Sequence, residues 1–379
     1  MRTWIQPEQH WAIWAVLLLA AVFGIWAERT RWGARVSGAV MTIGATFVLS
    51  YLRIIPIRAP AYGIVWAYLV PLAIPLLLFR ADLRRIVREA GPTLLAFGIG
   101  AVGTVVGAVV AYAMVPLGPE GWKLAGIFTA TYIGGSMNYV AVARALDLQA
   151  GDLLAAGVAA DNLAMTLYFI VLFLLPSWVW LRERFPRRPA LSVAVQSTNP
   201  ESYWAGRTIT LLDLAVALAL SAWLCAIGYR LADLLRLRGS EILWITGLTV
   251  LIATLWPQRV GQIRGAEEMG TLLMQIFFAA IGATANIHVV IEAGLRLFGF
   301  AVLILTIHLF VILAVGRLFR LDLREIVIAS NANMGGPTTA AAMAIARRWD
   351  TLVIPAILCG TLGYATANFI GVALAYALR

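Results

Sequence analysis

The sequence TYIGGSMNYVAVA, at residues 131–143, places two consecutive glycines and an asparagine inside a long apolar segment. A second sequence, SNANMGGPTTAAAMA at residues 330–344, has the same pair of glycines 201 positions further along the chain. An interrupted helix at membrane depth frees backbone N–H and C=O groups, and each group costs several kcal/mol if it is left to lipid. Such an interruption is stable only where protein, water or a bound solute takes up those hydrogen bonds. The two sequences therefore predict a shared binding site.

The composition is that of an integral membrane protein. Hydrophobic residues make up 61% of the 379 residues, charged residues only 13%, and the mean hydropathy is +0.86. A helix needs roughly 20 apolar residues to cross a bilayer, and twelve segments approach this length. They lie at about 11–27, 35–52, 61–79, 91–115, 121–146, 152–181, 208–232, 240–256, 267–285, 295–319, 322–346 and 351–377. The sequence therefore predicts an all-α, multi-pass bundle in a lipid bilayer.

The charge pattern indicates the location of the protein and its kinds of partner. The net charge of +10 comes almost wholly from arginines in short loops, which is typical of proteins held against anionic lipid, so we expect no nucleic-acid partner. The first span follows Arg2 and lacks a small-residue cleavage site, so we expect it to be retained in a bacterial inner membrane. Cys225 and Cys359 fall within predicted spans and indicate neither a disulfide nor a metal centre. We expect no cofactor other than Na⁺.

The chain divides into two similar halves. The polar segment 182–207 separates residues 1–181 from residues 208–379 and is interpreted as a linker. An offset of 201 residues aligns Pro56 with Pro257, the first Gly-Gly pair with the second, and five spans of each half. Internal repeats with an interrupted helix at matching positions are typical of secondary transporters, whose binding site lies near the bilayer midplane.

Polar groups next to the two interruptions are the predicted substrate ligands. At each interruption one half-helix presents N–H groups and a partial positive charge, and the other presents carbonyls that can hold a cation. The predicted ligands are Gly134, Gly135, Ser136, Asn138, Asn331, Asn333, Gly335, Gly336, Thr338 and Thr339, together with Thr366 and Asn368 from the last span. The alternative is that the glycines and Pro337 only permit close packing or a kink.

A deep acidic residue supplies a candidate for ion coupling. The sequence AAGVAADNLAM, at residues 155–165, places Asp161 and Asn162 inside the sixth apolar segment. A charged side chain at this depth costs about 2.5–3.5 kcal/mol on insertion scales, so its presence favours a function. Asp161 can take up a proton or coordinate Na⁺, with Asn162 as a neighbouring ligand. The alternative is a neutral Asp161 that is hydrogen-bonded to a neighbouring helix.

Five stretches of the chain resemble the signature sequences of one membrane family, domain of unknown function 819. They are YIGGSMNYVAVA, AADNLAM, FFAAIGATANI, SNANMGGPTTAAAMA and LGYATANFIG. This family is grouped with the cation:proton antiporters and the bile-acid sodium symporters. The resemblance implies inverted repeats, a panel domain that forms a homodimer surface, and a core domain in which two broken helices cross near the midplane. It places panel helices at about 11–79 and 208–285, and core helices at 91–181 and 295–377. In the antiporters an Asn-Asp or Asp-Asp pair follows the first broken helix, where this chain has Asp161-Asn162.

The direction of the second repeat is an open question at this stage. Two groups of six spans would make the repeats parallel rather than inverted. The basic sequences LFRADLRRIVR at 78–88 and LFRLDLREIV at 318–327 lie in different loops of the two repeats, which favours inversion. With twelve spans, lysine and arginine divide 15 to 14 between the two sides, so the positive-inside rule assigns no orientation.

The predicted function is secondary active transport by alternating access. Two half-helix N-termini supply roughly one positive charge near the midplane, which favours symport of a small organic anion with Na⁺ or H⁺. The alternative is a Na⁺/H⁺ antiporter. A channel is less favoured, and so is an intramembrane enzyme, because the sequence has no His-Glu-x-x-His motif and no second deep acid to pair with Asp161.

Overall fold

The computed structural model describes residues 3–30, 38–186, 209–237, 240–285 and 287–379, without the side chains of residues 287–292 and 346. All regular structure in these ranges is helical. Within them, seven helices are long and apolar enough to cross a bilayer, and the apolar helices Gly38–Tyr51 and Glu241–Leu255 are shorter. Twelve spans are too many, because two of the predicted segments fold back on themselves as described below.

The longer helices are numbered here in chain order. They are α1 (His10–Glu28), α2 (Gly38–Tyr51), α3 (Pro60–Leu78), α4 (Leu83–Glu89), α5 (Gly91–Met114), α6 (Gly121–Gly134), α7 (Ser136–Ala145), α8 (Gly151–Leu174), α9 (Leu211–Leu234), α10 (Glu241–Leu255), α11 (Ala266–Thr284), α12 (Ile287–Leu318), α13 (Leu323–Ala346) and α14 (Val353–Ala377). Short helical turns occur at Leu175–Ser177, Val179–Arg182, Pro257–Val260 and Asp350–Leu352, and α3 contains one π-helical turn at Val65–Leu69.

Local sequence signals explain where several of these helices begin. Asp82 caps α4 by accepting hydrogen bonds from the backbone N–H groups of Arg84 and Arg85. Asp322 and Glu325 form a capping box at the start of α13. Prolines in the first turn open α3 and α5, a position where the missing N–H group has no helical partner to lose.

The first interrupted segment is a hairpin. Gly135, with φ 81° and ψ 173°, separates α6 from α7. Lys123, near the start of α6, donates a hydrogen bond of 3.4 Å to the carbonyl of Asp147, which follows α7. The rings of Phe128 and Tyr139 are 6.1 Å apart between their centres. The two helices therefore run back along each other, and we call residues Gly121–Ala145 hairpin 1.

The second interrupted segment has the same form. Gly336, with φ 76° and ψ −165°, breaks α13 immediately before Pro337. The side chain of Asn331 lies 2.7 Å from Thr339 Oγ1 and 3.4 Å from Met343 Sδ. Residues as far apart in sequence as Asn331 and Met343 would be separated by about 18 Å in a straight helix. We call residues Leu323–Ala346 hairpin 2, and the expectation of two broken helices that traverse the bundle is corrected to two hairpins.

The hairpins approach from opposite ends of the bundle. A cavity of about 210 Å³ at the base of hairpin 1 is lined by Leu117, Leu124 and Leu153, and Leu153 lies in the first turn of α8. A cavity of about 300 Å³ at the base of hairpin 2 is lined by Asp322 and by Pro176, which follows α8. Since α8 runs from one cavity to the other, the bases of the hairpins lie at opposite ends of the bundle. We call these ends the hairpin 1 end and the hairpin 2 end.

Glycines allow α14 to pack tightly against both hairpins. A Cβ atom on Gly126 of hairpin 1 would lie 2.5 Å from the carbonyl oxygen of Gly371. A Cβ atom on Gly363 would lie 2.9 Å from the Cα atom of Gly134. Small residues permit this close approach of helix backbones in membrane proteins. As a result, α14 runs along hairpin 1 and reaches its tip.

Candidate functional site

The tips of the two hairpins are in direct contact. A Cβ atom on Gly135 would lie 3.3 Å from the backbone nitrogen of Gly336 and 3.4 Å from the carbonyl carbon of Gly335. Gly135 and Gly336 both have positive φ with ψ near 180°, a conformation almost confined to glycine. The glycines are therefore required both by the backbone conformation and by the close approach. The two Gly-Gly motifs come together as predicted, and their role in binding stays a prediction.

Tyr364 of α14 covers the place where the tips meet. A Cβ atom on Gly336 would lie 2.8 Å from Tyr364 Oη, and one on Gly135 would lie 3.5 Å from Tyr364 Cε1. Gly360, one turn earlier, is so close to hairpin 2 that its own Cβ atom would lie 2.6 Å from the carbonyl carbon of Gly336. One face of α14 thus forms a common wall for both tips.

At the tip of hairpin 1, the hairpin itself satisfies most of the freed backbone groups. Asn138 donates its side-chain amide to the carbonyl of Gly134 at 2.8 Å, and its backbone N–H to the carbonyl of Gly135 at 3.0 Å. Gly135 donates to the carbonyl of Thr131 at 2.7 Å. Ser136 is exposed, whereas Asn138 is buried. Asn138 therefore stabilises the turn, and Ser136 is the side chain at this tip that is free to face a solute.

Side chains also brace the tip of hairpin 2. Thr339 donates to Asn331 at 2.7 Å and lies 3.3 Å from the carbonyl of Gly336. Asn333 donates its amide to the carbonyl of Phe97 on α5 at 3.3 Å, while its Oδ1 atom is buried without a hydrogen-bond partner among the described residues. Thr338 is exposed, like Ser136 on the other hairpin.

Asp161 is buried next to hairpin 1. Its side chain is 3% exposed, and its Oδ1 atom has no hydrogen-bond partner in the described part of the chain. The hydroxyl of Tyr132, three residues before Gly135, interacts electrostatically with the carboxylate, but the geometry is not that of a hydrogen bond and the hydroxyl is unpartnered. Asn162 donates instead to the carbonyl of Val158 on its own helix at 2.8 Å. The structure thus places Asp161 beside Tyr132 without a hydrogen bond between them, and the amide of Asn162 bonds to its own helix.

The two predicted ligands on α14 differ in their surroundings. Thr366 donates to the carbonyl of Leu362 in its own helix at 2.8 Å, so its hydroxyl is occupied. Asn368 is 2% exposed, donates to Thr246 Oγ1 at 3.3 Å and keeps a buried Oδ1 atom without a partner among the described residues. It borders a space of about 20 Å³ together with Asn138 and Tyr364. Asn368 therefore lies near the tip of hairpin 1, whereas the hydroxyl hydrogen of Thr366 is used within α14, and its role as a ligand stays a prediction.

A larger cavity leads from the surface to the hairpin tips. Its volume is about 440 Å³, and Pro337, Thr361 and Tyr364 line its inner end. The outer part is lined by Arg80, Asp82, Arg85, Gln258, Gln262 and Glu267. This mouth is at the hairpin 2 end, because α5 begins beside it and ends near Leu117 at the other end. Charged and amide side chains thus surround the mouth, and the interrupted helix lies at the bottom.

An ion pair spans the mouth of this cavity. Arg80 Nη1 is 3.2 Å from Glu267 Oε2, and the side chains are 41% and 33% exposed. Arg85 is 2.9 Å from Glu89. Partial burial alone would raise the pKa of Glu89, but the hydrogen bonds and charges of Arg85 and Arg88 hold that pKa below its ordinary value. Arg85 at the mouth is therefore accompanied by a carboxylate, that of Glu89, which remains ionised at neutral pH.

A chain of hydrogen bonds in the interior joins hairpin 2 to three other helices. His308 Nδ1 lies 2.8 Å from the carbonyl of Gly100, so this nitrogen carries the hydrogen. His308 Nε2 then accepts from Ser330 Oγ at 3.0 Å, and Tyr168 in turn donates to Ser330 at 2.7 Å. The chain connects α5, α12, hairpin 2 and α8, the helix of Asp161. His308 thereby fixes the first arm of hairpin 2.

Similarity to known proteins shows the family of this chain. Residues 15–379 match the family described as "Protein of unknown function (DUF819)". The chain belongs to this family. It is similar to the "Uncharacterized membrane protein YjcL" of Bacillus subtilis (strain 168), with 36% identity over 386 residues that cover 98% of this chain and 97% of the relative. The similarity to this relative and the long apolar helices show that the chain is a membrane protein. Its resemblance to antiporters and symporters is a separate hypothesis.

Several residues of the site escaped the sequence analysis. Tyr364 directly follows Gly363 and Tyr132 lies two residues before Gly134, both in motifs that were singled out, but only the glycines, the amides and the serine and threonine hydroxyls of these motifs were considered as ligands. Arg80 was assigned to a basic loop, and Glu267 to the start of a helix. Only the packing of α3 against α11 brings these two together at the mouth of the cavity.

Proposed function

We propose that the protein is a secondary active transporter that works by alternating access. The observation that carries this proposal is the pair of hairpins, which come from opposite ends and meet at Gly135 and Gly336. Among the described residues, a cavity of about 440 Å³ connects the hairpin 2 end with this meeting point. A solute bound at the tips is thus reached from one side in this state, and a rearrangement of the tips relative to the surrounding helices would give access from the other.

The fold-back of the hairpins supports inverted repeats. Without them, each half has five helices that cross the bundle: α1, α2, α3, α5 and α8 in the first half, and α9, α10, α11, α12 and α14 in the second. An odd number of crossings reverses the second repeat relative to the first. Thr254, near the end of α10, donates to the carbonyl of Ala81 just after α3, so α10 ends at the hairpin 2 end. Its counterpart α2 ends where α3 begins, at the opposite end. Each group of six predicted spans thus consists of five crossing helices and one hairpin, so the number of spans no longer requires parallel repeats.

Packing supports a division into core and panel. The hairpins pack mainly with α14, with α5 and with each other, while α12 packs against α5 and α8. A second group forms around α11, which contacts α1, α2 and α3, with α9 and α10 beside it. We assign the first group to a core domain that carries the site and the second to a panel domain. We also propose that the panel provides a homodimer surface.

Charge supports an orientation in which the cavity opens to the cytoplasm. Of the 22 lysines and arginines in the described ranges, 14 lie at the hairpin 2 end and 8 at the hairpin 1 end. The 14 are Arg29, Arg80, Arg84, Arg85, Arg88, Arg182, Arg184, Arg259, Arg264, Arg317, Arg320, Arg324, Arg347 and Arg348. Positive residues accumulate on the cytoplasmic side of bacterial membrane proteins. We therefore propose that the protein lies in a bacterial inner membrane with the hairpin 2 end inside.

Asp161 is the proposed coupling residue. A buried carboxylate with an unpartnered oxygen beside the unpartnered hydroxyl of Tyr132 is suited to take up and release a cation. A carboxylate can take up H⁺, and it can also ligate Na⁺ together with carbonyl oxygens at the interruptions, so both ions are kept as candidates.

The proposed substrate is a small organic anion. The N-termini of α7 and of the second arm of hairpin 2 both begin at the meeting point, where Ser136 and Thr338 are exposed. Arg80 and Arg85 line the approach together with Asp82 and Glu267, so the charges of the mouth balance and the preference for an anion rests on the half-helix N-termini. Symport lets Asp161 be neutralised while the anion is bound. A Na⁺/H⁺ antiporter is the second candidate, because it needs only Asp161.

Transport in proteoliposomes separates these candidates. With an imposed pH or Na⁺ gradient and no organic solute, we expect no exchange of Na⁺ for H⁺. Robust exchange under these conditions would replace the symporter by the antiporter. Uptake of a labelled anion that saturates and is stimulated by the same anion on the opposite side would identify a carrier, whereas unsaturated flux without such stimulation would indicate a channel. The matched control is Asp161→Asn, which should be inactive in every coupled assay.

A further inference from the structure

A second cavity, outside the proposed transport site, is lined by arginines. It has a volume of about 300 Å³ and lies between the end of α8 and the base of hairpin 2. Its polar wall consists of Arg182, Arg324, Arg347 and Asp322, and its apolar wall includes Phe185 and Trp349. We call it the arginine cavity. The three arginines come from different places in the chain. Arg182 lies in the turn after α8, Arg324 in the first turn of hairpin 2, and Arg347 directly after its last turn.

The charges of the arginine cavity do not cancel. Arg324 binds Asp322 through its Nε atom at 3.1 Å to both carboxylate oxygens, so this pair is internally neutral. Arg182 and Arg347 have no acidic partner among the described residues. The described side chains that line the cavity therefore carry an excess of two positive charges, which favours an anion with at least one full negative charge.

Two aromatic rings hold the guanidinium of Arg347 in position, and among the described residues none of its side-chain N–H groups donates a hydrogen bond. Its guanidinium carbon lies 5.4 Å from the centre of the Phe173 ring and 5.9 Å from the centre of the Trp349 ring. Such contacts fix the plane of the guanidinium through its face and leave the N–H groups at its edge available. A phosphate group matches these donors, because arginine can bind two of its oxygens at once.

The surroundings of the arginine cavity indicate a lipid. The side chains of Trp178, Trp180 and Phe319 at the same end of the bundle are 64%, 55% and 52% exposed. Exposed tryptophans of this kind mark the level of the lipid headgroups. Basic pockets between helices at this level on the cytoplasmic side bind the headgroups of anionic lipids. The volume is at the lower limit for small-molecule sites, which suits a headgroup.

We propose that the arginine cavity binds the phosphate of an anionic phospholipid from the cytoplasmic leaflet, with Arg182 and Arg347 as its ligands. The bound headgroup joins the end of α8 to both ends of hairpin 2. It therefore restrains the base of the hairpin whose tip forms the transport site. This proposal does not depend on the identity of the transported solute or on the occurrence of transport.

The test is a thermal-unfolding measurement on the purified full-length protein in detergent after removal of lipid. Phosphatidylglycerol should raise Tm, while phosphatidylcholine and inorganic phosphate at the same concentration should not. The variant Arg182→Gln/Arg347→Gln should lose most of this shift. The control Arg84→Gln/Arg317→Gln removes the same charge from exposed positions at the same end of the bundle, and it should keep the shift.

Several results would overturn the proposal. An undiminished response of Arg182→Gln/Arg347→Gln to phosphatidylglycerol would exclude these arginines as ligands. An equal response of the wild type to phosphatidylcholine would exclude recognition of the charge. A shift with inorganic phosphate that is lost only in the cavity variant would assign the site to a free phosphate compound and exclude the lipid. If the double variant does not fold, Arg182→Gln alone, on an exposed turn, is compared with the wild type by native mass spectrometry, and equal retention of phosphatidylglycerol would contradict the proposal.

Discussion

Gly135 and Gly336 are 201 positions apart in the chain, yet their backbones touch where the two hairpin tips meet. This contact marks the place of the proposed binding site.

Replacement of Gly336 by alanine should damage both folding and transport. Its backbone conformation is nearly exclusive to glycine and a forced side chain costs on the order of 1–3 kcal/mol, while the new Cβ atom would lie 2.8 Å from Tyr364 Oη. Thermal unfolding and uptake should both fall. Gly98→Ala is the control, because a Cβ atom at Gly98 has no neighbour within 4 Å. Equal Tm and uptake in Gly336→Ala and the wild type would show that the tip tolerates a side chain.

Replacement of Asp161 by asparagine should abolish H⁺- or Na⁺-dependent transport and leave the protein folded. The amide keeps the size of the side chain but cannot change its charge. Uptake is measured with and without an imposed ion gradient. Asp152→Asn, a change in the first turn of the same helix, should transport normally. Asn162→Ala should have a smaller effect, because its amide already bonds to Val158. Unchanged coupled uptake in Asp161→Asn would remove Asp161 from the mechanism.

Replacement of Ser330 by alanine should destabilise the core. The change leaves Tyr168 Oη and His308 Nε2 without their shared partner in the interior, and each unpaired buried group costs about 1–3 kcal/mol. The expected result is a clear decrease in Tm. Thr306→Ala on the helix of His308 is the control, because that exposed hydroxyl bonds only to its own helix. Similar Tm values for the two variants would mean that the hydrogen-bond chain contributes little to stability.

Replacement of Arg80 by glutamine should weaken substrate capture without unfolding the protein. The exposed pair with Glu267 contributes only about 0–1 kcal/mol to stability, whereas the loss of a positive charge at the mouth lowers the local concentration of an anion. We expect a higher KM for anion uptake with little change in the maximal rate. Arg84→Gln, outside the cavity lining, should leave KM unchanged. A lower KM in Arg80→Gln would indicate a cationic substrate.

The sequence allowed the two interruptions to be located, because glycine pairs inside apolar segments have few physical explanations. It did not allow hairpins to be distinguished from spans. The segments 121–146 and 322–346 are long enough to cross a bilayer, and nothing in their composition indicates that Gly135 and Gly336 reverse the chain. That reversal depends on two backbone conformations and on the packing of α14. The error in the number of spans and the ambiguity about repeat direction had this single cause.

The sequence likewise predicted some residues of the candidate site and missed others. Asp161 was found because a buried acid in lipid is costly, and its burial agrees with that argument. Asn162 and Thr366 were grouped with it by residue type, yet both bond to their own helices. A polar side chain in a helix can donate to a backbone carbonyl of its own helix, and the sequence does not show whether it does so or binds a ligand. Arg80 and Tyr364 enter the site through contacts between distant segments.

The contact between the hairpin tips also has an electrical consequence. The cavity reaches from the hairpin 2 end to Pro337, and if water fills it, little of the membrane voltage is lost along it. Most of the voltage then falls across the short distance between the tips and the opposite surface. A charge that passes this point gains or loses about 2.3 kcal/mol per 100 mV. The rate of the step that carries net charge past Gly135 and Gly336 should therefore depend strongly on membrane potential, although the movement itself covers only a part of the bilayer.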